Sequence, residues 1–230
     1  MADNLIPANP SPAQRDIIES LNTHSLIVDS VAGSGKTTTN LFIAKSYPAL
    51  NILLLTYNSK LKLETREKVV TAKIQNMEVH SYHSFCVKYY SRTAFTDSGI
   101  KKMLTANPAP LMPFAYDVVL IDEAQDMTNL YFSIVCKLWR DNPKSKTCKI
   151  VISGDVNQCI FRFNGADSRY ISLAEFIYAE FNAANLPWKT VRLAVSYRCP
   201  MELTMFINRC VLKSDRMIGS REIKHKPRYV

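Results

Sequence analysis

A lysine and a threonine stand directly behind a glycine-bracketed turn in "SVAGSGKTTT" (Ser30–Thr39), and an aspartate and a glutamate stand directly behind an apolar run in "VVLIDEAQD" (Val118–Asp126). The first group has the chemistry of a polyphosphate cradle. Glycines let backbone N–H groups converge on phosphate oxygens, and a helix starting near Lys36 adds the positive end of its dipole. Gly33 and Gly35 supply the permissive backbone, Lys36 reaches the outer phosphates and Thr37 offers a hydroxyl to Mg2+; Ala32, Ser34 and Thr38 complete the loop. The pattern G-x-x-x-x-G-K-[ST] asks for a glycine where Ser30 stands, but serine is small and removes little room.

The acidic pair supplies the other half of the chemistry. Ligands of an open parallel sheet bind beyond the carboxyl ends of its strands. There Asp122 can hold Mg2+, directly or through water, and Glu123 can orient and deprotonate an attacking water. Solvated carboxylates at loop entries are common, so the pair gains its meaning from Lys36 and Thr37. Together these residues describe phosphate hydrolysis, with water as the acceptor.

Such residues need a scaffold that brings them to one edge. The runs "HSLIVDSV", "NILLLTYN", "DVVLIDEA" and "KIVISGDV" alternate with helical stretches such as "KTTTNLFIAKSY" and "NLYFSIVCKLWRD". This alternation predicts an α/β fold, a parallel sheet flanked by helices with each strand buried on both faces. Residues 87–116 carry three prolines and read as a small insertion on the sheet. After Trp188 the segment "TVRLAVSY" reads as a new strand, "PMELTMFINRCVLK" as a helix and "HKPRYV" as the start of another strand. The expected division is a first lobe over 1–186 and the beginning of a second over 187–230.

Composition narrows the class. The chain has 230 residues, 47% of them hydrophobic, without an apolar run long enough to span a bilayer or a signal-peptide build at its start. A cytoplasmic or nuclear protein is expected, and no membrane partner. The six cysteines are scattered without C-x-x-C and read as reduced thiols. His80, His83 and Cys86 recur at three-residue spacing, but no fourth ligand of suitable type stands nearby. The net charge of +9 suits a polyanion such as nucleic acid, and equally a basic protein with no such partner.

Taken in order, these motifs resemble the superfamily 1 helicases of the UvrD/Rep type, including the Fbh1-like and viral branches. "AGSGKT" (Ala32–Thr37) resembles the first motif, whose members often lack the leading glycine, and "DEAQD" (Asp122–Asp126) the second. "GDVNQCIFRFNGA" (Gly154–Ala166) resembles the third and "LAVSYRCP" (Leu193–Pro200) the fourth. "PSPAQ" is similar to the adenine-reading glutamine motif, and "LTYN" and "SYHS" to motifs Ia and Ic.

The resemblance implies a P-loop NTPase with a RecA-like sheet, ATP and Mg2+ as cofactors, and single-stranded or partly duplex DNA as partner, with RNA left open. It implies that Gln14 reads the adenine edge, although Ser11, Pro12 and Gln14 also spell a helix capping box. Asp155 and Gln158 would sense the γ-phosphate, and Arg198 would touch it from the second lobe. Tyr57, His83, Phe161 and Phe163 would stack on bases, with core packing as the other reading. Lys60, Lys62, Arg66 and Lys68 suit phosphate contacts or a solvated helix face. Asn164 replaces an arginine usual in the family, and no segment resembles the fifth or sixth motif. The resemblance therefore implies the ATP-binding lobe of a helicase that moves 3′ to 5′, present here as a fragment with feeble ATPase and no unwinding of its own. A single-lobe ATP-dependent nucleic-acid-binding module, or a split subunit needing a partner, is the alternative.

Overall fold

The computed structural model describes residues 7–57, 59–181 and 186–221. Helix α1 (Pro12–Ser20) leads into β1 (Ser25–Ser30), α2 (Lys36–Ser46), β2 (Ile52–Thr56), α3 (Ser59–Thr71) and β3 (Met77–Ser81). Helices α4 (Tyr82–Tyr89) and α5 (Asp97–Ala106) precede β4 (Val118–Ile121), α6 (Asn129–Asp141) and β5 (Lys149–Gly154). The short helices α7 (Arg169–Ser172) and α8 (Ala174–Ile177) are followed by β6 (Trp188–Leu193), β7 (Val195–Pro200), α9 (Met201–Phe206) and β8 (Ile218–Arg221). Among the described residues no helix is long and apolar enough to cross a membrane.

Strands β1 to β6 form one parallel sheet in the order β3-β2-β4-β5-β1-β6. Its strands are apolar at successive positions because helices cover both faces. Ile27, Leu53, Leu55, Val119, Ile121 and Ile152 enter one core with α4, α5 and α6. Their chain neighbours Leu26, Val28, Ile52, Leu54, Leu120 and Val151 enter the other, with α1 and α2. Within 87–116, Tyr89, Tyr90, Ile100, Met103, Phe114 and Tyr116 join the first core. The buried Lys137 of α6 pins the turn after α5, donating to Asn107 Oδ1 at 2.9 Å and to the Pro108 carbonyl at 2.7 Å.

Two features of this topology position the site. Strand β5 lies between β1 and β4, and the register sets Ile27, Ile152 and Ile121 in one row. The loops after all three strands therefore open at the same end of the sheet. The chain also leaves β1 for β2 on one side and leaves β5 for β6 on the other, which makes this the switch point where a crevice forms.

One expectation is corrected. The segment "TVRLAVSY" is not a single strand: β6 is the sixth strand of the main sheet, while β7 pairs with β8 in a separate two-stranded parallel sheet. The change of sheet falls at Ala194 rather than at 187. The Leu193 carbonyl accepts from Val31 N at 3.1 Å, and the next carbonyl, Ala194, accepts from Ile218 N at 2.8 Å. Helix α9 follows as expected and continues in wider π-type turns over Ile207–Leu212. The strand expected at 225–230 lies outside the described residues, as does Asn58 of "LTYN".

Candidate nucleotide site and nucleic-acid face

The turn between β1 and α2 has the build its sequence implies. Gly33 and Gly35 take left-handed backbone, φ +71° and +88°, and Gly35 caps α2 with no side-chain hydrogen bond to the helix N–H groups. The helix then begins with Lys36, without an acidic residue in its first turn. Uncapped N–H groups beside a positive charge are unfavourable on their own, and an anion at that point relieves both. Ser30 occupies ordinary strand and is fully buried, its hydroxyl donating to the Gly154 carbonyl at 2.7 Å. Glycine is therefore not required there. The Ser34 hydroxyl is buried and has no partner.

Lys36 and the acidic pair meet across the intervening strand. Lys36 Nζ lies 3.5 Å from Glu123 Oε2. Glu123 itself sits in left-handed backbone at φ +54°, uncommon for a residue with a side chain and typical of functional turns. Asp122 is buried, its Oδ1 accepting from Ser153 Oγ at 2.9 Å and from Glu123 N at 3.1 Å. Burial pushes its carboxyl above the usual range, with the Glu123 charge adding to the effect. Burial and Glu123 likewise push Asp126 up to about 6, and its Oδ1 lacks a partner. The cluster thus holds more carboxylate than the single Lys36 balances. Among the described residues no three His, Cys, Asp or Glu side chains converge as a metal cage. Mg2+ does not need one, since one or two carboxylates and phosphate oxygens suffice.

Gln125 was given no role in the sequence and proves central. Its Nε2 donates to Glu123 Oε2 at 2.8 Å, and its Oε1 accepts from Asp155 N at 3.0 Å. Asp155 Oδ2 in turn accepts from Gln158 Nε2 at 2.7 Å. Gly154 makes room for this link, because a Cβ there would meet Gln125 Oε1 at 2.4 Å. The glutamine's place two residues after Glu123 in a tight turn was the available signal.

The fourth motif reaches the same loop from β7. Ser196 Oγ donates to the Ala32 carbonyl at 2.7 Å, and Tyr197 N donates to the Gly33 carbonyl at 2.9 Å. A Cβ on Gly33 would stand 2.5 Å from Arg198 Cβ, so Arg198 adjoins the loop. Gln14 is buried and its capping box is formed, with Oε1 accepting from Ser11 N at 2.9 Å. Its Nε2 donates to Thr39 Oγ1 at 3.0 Å beside Gly35, where the Tyr197 ring also approaches. Tyr197, unassigned in the sequence, is 43% exposed and leaves a ring free for a planar ligand.

The aromatic candidates divide. Tyr57 stacks on Phe161 with centroids 5.3 Å apart, and Phe161 leads to Phe163 at 6.1 Å. Behind Tyr57 stand Tyr131 at 6.0 Å and then the buried Tyr82, stacked on Tyr131 at 4.7 Å. Phe163 ends this line 79% exposed. His83 lies against the edge of Tyr131, its Nε2 3.0 Å from Asp97 Oδ1. A cleft of about 180 Å3 is lined by Tyr57 and Phe161 together with Glu123, Gln125 and Gln158, so the aromatic line and the acid cluster share one wall. On α3, Lys60 is exposed, whereas Arg66 is committed to β3, its Nε donating to the Val79 carbonyl at 2.7 Å. The spaced His80 and Cys86 serve the core. Burial pushes the Cys86 thiol up to about 12 and holds His80 below its ordinary value, so that a neutral imidazole bonds Glu78 at 3.0 Å.

Known proteins are similar to parts of this chain in sequence. RecBCD enzyme subunit RecB of Haemophilus influenzae is 33% identical over 100 residues, 44% of this chain and 7% of that protein. F-box DNA helicase protein 1 of Schizosaccharomyces pombe is 30% identical over 116 residues, 50% of this chain and 11% of that protein. The chain therefore matches only a small part of the length of either relative. Among solved structures, an arterivirus nonstructural protein 10 (helicase) superposes with a TM-score of 0.49 at 14% identity, covering 92% of this chain and 44% of that one. The UvrD/REP helicase N-terminal domain matches at residues 10–108 and 99–178, from α1 through α8, and the chain belongs to that family.

Proposed function

We propose that this chain is the ATP-binding lobe of a DNA helicase that couples ATP hydrolysis to movement on single-stranded DNA, in the 3′ to 5′ direction that the motif resemblance implies. The observation that carries the reading is the 3.5 Å approach of Lys36 to Glu123, which joins the loop after β1 to the acid after β4 across β5. ATP would lay its phosphates on the Ala32–Thr38 loop, with Lys36 on the outer phosphates. The adenine would lie between the Gln14 amide and the Tyr197 ring. Mg2+ would be held by Thr37 and Asp122, hard oxygen donors beside an excess of carboxylate, and would supply charge neutralisation to the phosphates. Glu123 would orient and deprotonate the water. Asp155 and Gln158 would report the γ-phosphate to the aromatic line, where Tyr57, Phe161 and Phe163 stack on bases; His83 borders it. Arg198 would add charge at the loop from the β7–β8 sheet.

In this reading the first lobe runs to Leu193 with 87–116 as its reduced insertion, and the second begins at Ala194. The β7–β8 unit leaves Leu203, Phe206, Val211 and Ile218 exposed, a face that the remainder of a second lobe would cover, whether in one chain or on a partner. The decisive test is ATP hydrolysis by the 230-residue chain with and without single-stranded DNA, for wild type, Lys36→Ala and Glu123→Gln. Slow hydrolysis that the strand stimulates and both substitutions abolish is expected. Equal rates in all samples overturn the reading, and vigorous unwinding by this chain alone overturns its two-lobe part.

A further inference from the structure

Arg216 belongs to none of the motifs, yet it joins the two sheets electrostatically. It stands just before β8, and its guanidinium forks onto Asp29, Nη1 to Oδ2 at 3.1 Å and Nη2 to Oδ1 at 2.6 Å. The same Nη2 donates to Asp155 Oδ1 at 3.0 Å. All three groups are largely withdrawn from water, with side chains 12%, 17% and 6% exposed for Arg216, Asp29 and Asp155. Two carboxylates facing one point at low exposure repel unless a cation stands between them, and a planar fork suits that place better than an ammonium. Arg192 adds a contact to Asp29 at 3.2 Å from the solvent side.

The backbone at Arg216 is fixed to the π-type turns that follow α9. Asn208 Oδ1 accepts from Arg216 N at 3.3 Å and from Met217 N at 3.0 Å, and Asn208 Nδ2 donates to the Met217 carbonyl at 2.8 Å. On the other side, Asp155 is a branch point. Its N–H leads through Gln125 to Glu123, and its Oδ2 leads to Gln158 on the wall shared with Tyr57 and Phe161. Glu123 is thus linked to Asp155 through Gln125, and Asp155 is linked through Arg216 to the segment that enters β8.

We infer that Arg216 is a positioning residue that couples nucleotide occupancy to single-strand affinity, by tying Asp155 to the second sheet. This rests on the ATP and single-strand reading above. The test measures the affinity of the 230-residue chain for a fluorescent oligothymidylate, with and without Mg2+ and a non-hydrolysable ATP analogue, in wild type, Arg216→Gln and Arg216→Lys. In wild type the analogue changes strand affinity by about fivefold or more. In Arg216→Gln each ligand alone binds within about threefold of wild type, while the effect of one on the other falls to within about twofold of none. Arg216→Lys keeps the charge between the two acids and so the fold, but loses the fork, and its coupling falls as well. A folded variant with wild-type coupling overturns the inference, as does failure of both variants to fold, which makes the residue purely structural. Wild type that binds both ligands independently overturns the inference alone; wild type that binds neither overturns the functional reading with it.

Discussion

The hydroxyl of Ser30 joins β1 to β5 where each strand ends in a loop of the site. A glycine at this position would match the commonest phosphate-loop pattern and would remove that bond from a fully buried place, leaving the Gly154 carbonyl without its donor. It would also add backbone freedom to the unfolded chain. Ser30→Gly is therefore expected to destabilise the chain by about 1–2 kcal/mol in urea unfolding. A variant as stable as wild type would show that the bond contributes nothing. The same residue-level logic applies at Gly154, where a side chain would displace Gln125 from both Glu123 and Asp155.

At the scale of elements, the site is assembled from the ends of β1, β4 and β5 and from the aromatic line that α4 and α6 support. Tyr82 and Tyr131 anchor that line in the core, Tyr57 and Phe161 are half-buried, and Phe163 stands on the loop after β5 with most of its ring in water. Burial grades what each ring does. Phe163→Ala is expected to weaken single-strand binding by about 1–3 kcal/mol while leaving the melting temperature within experimental error. Phe161→Ala should lower both, because its ring also packs on Tyr57. An oligonucleotide titration and a thermal melt of each variant check this; unchanged affinity in Phe163→Ala would remove that ring from the interface.

For the whole molecule, acid stability is tied to Glu78 on β3. His80 is the chief donor to its carboxylate, with Lys88 and Tyr89 assisting, and together they hold it at about 2, below the ordinary value of 4.5. A carboxylate whose folded value is depressed contributes stability that is full above its unfolded value and is lost as pH falls through the folded one. The chain should therefore lose stability from about pH 4.5 down to about pH 2. Glu78→Gln should flatten that part of the curve, read as melting temperature against pH. The residue is partly exposed, so the effect is smaller at high salt. A slope identical to wild type would assign the acid loss to other carboxylates.

The sequence by itself determined strands β1, β2, β4 and β5, the helices after β1 and β4, and the glycine-bracketed turn with its acidic pair, because buried runs, helical periodicity and glycine chemistry are local properties. It also carried the family resemblance, whose motifs keep their order along the chain. Tertiary structure alone decided which residues connect them. Gln125 and Tyr197 were in plain view within quoted motifs, but their roles depend on which backbone groups lie opposite, which spacing along the chain does not encode. The division of "TVRLAVSY" escaped for the same reason: a run of alternating residues does not reveal that the Leu193 carbonyl serves one sheet and that of Ala194 another. Arg216 reads as one more surface cation of a basic chain until folding sets it between Asp29 and Asp155, residues 187 and 61 positions earlier.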